Sequence, residues 1–97
     1  MNIEDLNAKI TVLMNEADRL TGPERALLRI EIRNLQNDID GASNQDILKR
    51  LNAVKFPDLR EIDRQIEAAR TAASDAAKRE AIGVALKVLR VGLGFVL

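Results

Sequence analysis

The chain has 97 residues, with fifteen Lys plus Arg balancing fifteen Asp plus Glu and with no His, Cys, Trp or Tyr. That length provides for one domain around a modest core. Without His or Cys there is no Cys/His metal cluster, no Ser-His-Asp or Cys-His nucleophile and no disulfide framework, and the side chain that titrates nearest neutrality is missing. The expectation is a non-enzymatic protein with no cofactor, no metal and no small-molecule substrate.

The predicted elements are all helical. Ile3, Leu6, Ile10, Leu13, Ala17 and Leu20 recur at spacings of three and four, an a/d seam that predicts a first helix over residues 2–20. Pro23 suits the first turn of the next helix, where its missing N–H costs nothing, and Glu24 complements the helix N-terminus. Leu28, Ile32, Leu35 and Ile39 continue the seam, and Gly41 is suited to a left-handed C-cap, so the second helix is predicted over residues 23–40. Leu6, Leu13, Leu20 and Leu27 also recur every seven residues, but Gly22 and Pro23 break the helix before the fourth leucine and void the zipper match.

Ser43, with Asp46 three residues on, is a capping arrangement for a short third helix over residues 44–55, which carries Ile47, Leu48, Leu51 and Val54 and stops ahead of Pro57. Beyond Pro57 no proline follows. Leu59, Ile62, Ile66, Ala69, Ala73 and Ala76 hold the rhythm, and alanine raises helix propensity at positions 68, 69, 72, 73, 76, 77 and 81. One long fourth helix over residues 58–95 is therefore predicted. The fold expected is all-α: a helical hairpin, a short helix and a long C-terminal helix, in four-helix or coiled-coil-like packing within a single domain over residues 1–97.

Charge is uneven along the chain. Residues 1–46 carry nine acids and five bases, and residues 47–97 carry ten bases and six acids, an imbalance that serves either internal packing of the two halves or association between chains. Gln36, Asp38, Asp40, Gly41 and Ser43 fall on the ligand positions of a calcium loop, but Gln36 replaces the first Asp and Ile47 the bidentate Glu, so calcium is not expected. No Gly-rich phosphate motif is present. Arg25, Arg29 and Arg33 make an i, i+4, i+8 row, with Arg19 nearby, that would suit phosphates or a partner's acids; the interleaved Glu24 and Glu31 and the absence of an aromatic platform make nucleic-acid binding the third choice.

The last seventeen residues contain ten of Ile, Val, Leu or Phe, with Lys87 and Arg90 as the sole charges. At 100° per residue Ile82, Leu86, Leu89, Leu93 and Val96 share one side, while Val84, Val88, Val91 and Phe95 lie nearly opposite. Gly83, Lys87, Arg90 and Gly94 fill a thin strip, so the apolar arc covers about 240° and seeks burial nearly all round. As a membrane span the ten apolar residues gain roughly 3–6 kcal/mol and the two cations cost roughly 5–7, which disfavours crossing. The expected function is a protein–protein interaction module, acting as a homo-oligomer, adaptor or inhibitor. Leu86, Val88, Leu89, Leu93 and Phe95 would anchor the partner, and Lys87, Arg90, Arg25, Arg29 and Arg33 would orient it. The second choice is a membrane-associated protein with a cationic C-terminal helix. The acidic start, Met-Asn-Ile-Glu-Asp-Leu, lacks a secretory leader, so a cytoplasmic location is expected.

Overall fold

A computed structural model describes residues 1–95; Val96, assigned above to one side of the last helix, lies outside them. Five helices form: α1 (Ile3–Ala17), α2 (Pro23–Asp40), α3 (Asn44–Ala53), α4 (Phe56–Thr71) and α5 (Asp75–Gly92), with no strand among the described residues. Local chemistry starts each of them. Asn2 and Asp5 close a capping box on α1, the Asp5 N–H donating to Asn2 Oδ1 at 2.7 Å. Pro23 opens α2, and Ser43 caps α3 by accepting from the Asp46 N–H at 3.1 Å. Gly41 ends α2 in a right-handed conformation (φ −77°), not the left-handed one expected of it. The fold class is the all-α one that the periodicity predicts.

The long fourth helix is two helices. Ala72 turns extended (ψ 134°), and Ser74 starts α5 by accepting from the Ala77 N–H at 3.2 Å. Asp75 then takes both the backbone N–H (3.2 Å) and the hydroxyl (2.7 Å) of Thr21, which pins the break to the α1–α2 turn. The energetics favour folding back. In a continuous rod Ile82, Leu86, Leu89 and Leu93 would project beyond the hairpin and forgo roughly 6–12 kcal/mol of burial, against about 1 kcal/mol for each helical hydrogen bond given up at the break. Accordingly α4 and α5 lie side by side in the most extensive helix–helix contact of the molecule, and all four of those residues are buried.

The molecule measures 38 × 25 × 23 Å, and in its bundle α1 touches α2, α4 and α5, and α5 also touches α2 and α4. Ion pairs reveal the directions. Glu24 with Arg79 (2.9 Å) and Asp38 with Arg90 (2.7 Å) advance together along both sequences, so α2 and α5 run parallel. Glu16 with Lys78 and Thr21 with Asp75 advance oppositely, so α1 and α5 are antiparallel. The crossover that permits two parallel neighbours is α3, which lies against α1 and α5. The seams read from the sequence meet in the middle: Leu6, Leu13, Ile32, Leu35, Ile62, Ile82, Leu89 and Leu93 are almost wholly enclosed. One ion pair is enclosed with them, Lys78 Nζ standing 2.5 Å from Glu16 Oε1.

At the other end of α5, Gly94 adopts φ 76° while its N–H donates to Val91 O and the Phe95 N–H donates to Arg90 O, the double closure of a Schellman turn. Arg50 of α3 completes it. Its Nη1 donates to Leu93 O at 2.7 Å, and its guanidinium lies 4.4 Å from the centre of the Phe95 ring.

Candidate functional site

Because α2 and α5 run side by side with few large side chains between them at the surface, an open groove of about 880 Å³ separates their outer faces. Glu31, Asn34 and Asp38 form the α2 wall, Lys87, Arg90 and Val91 form the α5 wall, and Leu35 and Leu86 lie beneath. Gly83 makes the hollow: a Cβ there would meet nothing within 4 Å. Leu27 and Ile30 precede Glu31 and Asn34 by one helical turn and so extend the α2 wall toward its N-terminus. They are 61% and 56% exposed, and Val91 across the groove is 53% exposed. A single exposed aliphatic side chain is ordinary on a protein surface; Leu27 and Ile30, neighbours at i and i+3, make an apolar pair beside the groove. Leu48 and Phe56 are exposed elsewhere, the Phe56 ring with the Arg60 guanidinium 5.8 Å from its centre.

The residues expected to bind a partner separate into three groups. Leu86, Leu89 and Leu93 are buried in the chain's own core, so their burial is already satisfied within it. Val88 and Phe95 are half-buried against that core. Lys87 stands exposed on the groove wall, while Arg90 bridges to Asp38 and donates to Phe95 O at 3.2 Å. Beyond Glu80 the exposed residues of α5 are therefore Lys87 and Val91, not its leucines. The arginine row lies on the outer face of α2 around a second depression of about 310 Å³, which also has Gly22, Ala26 and Ile30 in its lining. Arg29 is neutralised by Asp18 at 2.6 Å, which leaves Arg25 and Arg33 outside any ion pair among the described residues.

Leu27, Ile30, Gly83, Glu31 and Val91 were not among the expected contacts. A signal for the first two existed in the sequence: both fall out of phase with the Leu28, Ile32, Leu35, Ile39 seam and so point away from the core.

Electrostatically the groove has one acidic and one basic wall. Asp38 and Arg90 link the walls, but Glu31 and Lys87 make no ion pair among the described residues. The halves' opposite charges are partly consumed inside the chain, by Glu16–Lys78, Glu24–Arg79 and Asp38–Arg90. On the α4 surface Glu61 is held below the ordinary glutamate range by hydrogen bonds from Arg64 and then Gln65. Among the described residues no group of acids is placed to hold a metal ion, and no helix is long and apolar enough to cross a membrane. No family model, curated protein or solved structure matches the chain.

Proposed function

We propose that this protein is a non-enzymatic helical interaction module whose contact face is the α2/α5 groove. One observation carries the reading: Val91 on the groove wall, and Leu27 and Ile30 on α2 one turn before the groove residues Glu31 and Asn34, remain more than half exposed while the other Leu and Ile side chains of both helices are buried. Covering those three side chains would gain roughly 2–5 kcal/mol, scaled from full burial by their exposure, and the charged walls would orient the occupant. A helix is the natural occupant, since the groove is walled by two parallel helices and presents apolar positions at helical spacing.

The test is position-specific cross-linking in cells. A photoreactive residue at Ile30 or Val91 is expected to capture another polypeptide, and one at Asn7 or Arg64, exposed on α1 and α4, is not. Capture from the groove positions should vanish when Leu27→Glu is added. Equal capture from all four positions, or none from the groove, defeats the proposal.

A further inference from the structure

This inference rests on the interaction reading of the groove and names its occupant. We propose that the face bearing this groove pairs with the same face of a second copy of this chain, the two related by a two-fold axis parallel to α2 and α5. Rotation about such an axis lays α2 of each copy on α5 of the other, pointing the same way, so that each acidic wall meets a basic one. The perpendicular two-fold would lay acidic α2 on acidic α2 and is disfavoured by like charge.

The register follows from the two ion pairs that fix α2 beside α5. With Glu24 level with Arg79 and Asp38 level with Arg90, Glu31 falls within about one turn of Lys87, some 5 Å along the axis and inside the reach of a lysine side chain. These are the two wall charges that have no ion-pair partner among the described residues. The same register puts Leu27 within a turn of Gly83. A glycine inside a helix weakens it, and here none of the described residues comes within 4 Å of where its Cβ would stand. Leu27 of one copy fits as a knob over the hollow at Gly83 of the other, and two-fold symmetry repeats both contacts.

Sedimentation equilibrium of the full chain is expected to show a monomer–dimer equilibrium. Glu31→Lys or Lys87→Glu alone sets like charges against each other on both sides of the two-fold axis and should weaken the dimer by at least about tenfold. An equimolar mixture of the two variants should recover it, because each altered position then faces the opposite charge. Gly83→Leu fills the hollow and should abolish the dimer while melting no lower than the parent, which separates loss of association from loss of fold. A full chain that stays monomeric at millimolar concentration overturns the proposal, as does a dimer indifferent to all three variants or a mixture that does not recover. A monomeric chain that still yields a groove-specific cross-link to a different polypeptide sinks the self-pairing alone; loss of that cross-link as well sinks the interaction reading.

Discussion

Replacing Glu16 by Ala should be among the most damaging single changes on the protein. The side chains of Glu16 and Lys78 are only 7% and 11% exposed, and their charged atoms stand 2.5 Å apart. At an effective dielectric of about 20 that separation corresponds to an attraction of about 7 kcal/mol, most of it offset by the water both groups have lost. Removing the carboxylate leaves the Lys78 ammonium buried without a second acid in ion-pair contact among the described residues, at a cost of about 3–5 kcal/mol. A domain of this size has a net stability of about 5–15 kcal/mol, so roughly a fifth or more is at stake. Lys78→Met should cost about 1 kcal/mol less, because Arg19, 3.8 Å from the other Glu16 oxygen, still offers that carboxylate a partly solvated cation. The double change Glu16→Leu with Lys78→Met swaps the pair for apolar volume and should restore stability to within about 1 kcal/mol of the parent, or exceed it. Urea unfolding followed by far-UV circular dichroism measures all three, read as midpoint shifts at constant slope. A loss below about 1 kcal/mol for Glu16→Ala, or a double variant no better than the worse single one, would show that water reaches the pair and that its burial is not what makes it costly to break.

Three further outcomes are expected. Gly94→Ala forces a side chain into left-handed backbone and sets its Cβ 2.9 Å from Arg50 Nη1, so thermal melts should register a loss of about 1–2 kcal/mol or more. Ser74→Ala removes the α5 cap and should lower stability by about 1 kcal/mol, whereas Ser74→Asp should retain most of it; equal losses for both would refute the capping role. Glu61 should titrate below the ordinary glutamate range in a carbon-detected NMR titration and move back toward it in Arg64→Ala. Because its folded value is depressed, its contribution to stability is present above the unfolded glutamate value and is lost as the pH falls through the lowered one.

The seams of α1 and α2 are legible in the sequence because the apolar residues at three- and four-residue spacing, the half-buried Ile3 at the start apart, end in the core: Leu6, Ile10, Leu13, Leu28, Ile32 and Leu35 are all buried. The turn between α4 and α5 is not legible in the same way. Its alanines favour continuing the helix, and the contact that pins the break, Asp75 to Thr21, joins residues 54 apart and leaves no trace in periodicity. Ser74 followed by Asp75 is the local mark of a new N-terminus, but it sits inside a run of strong helix formers. The apolar excess of the last segment is visible, yet periodicity reports only that a side chain turns inward or outward. Which neighbour receives it depends on the fold-back, and this is why Leu86, Leu89 and Leu93 go to the core and the outward role passes to Val91 and to α2.

Setting α2 and α5 abreast and codirectional aligns their macrodipoles, which repel when side by side, unlike those of the antiparallel α4/α5 hairpin. The acid at the start of each helix, Glu24 and Asp75, and the Arg90 guanidinium near the end of α5 offset that repulsion with charges that added salt screens. This edge therefore leans on charge more than the α4/α5 hairpin does. Rising ionic strength should quicken amide hydrogen exchange along the outer turns of α2 before it reaches the α4/α5 hairpin, so the flank offered for recognition is also the one that yields first.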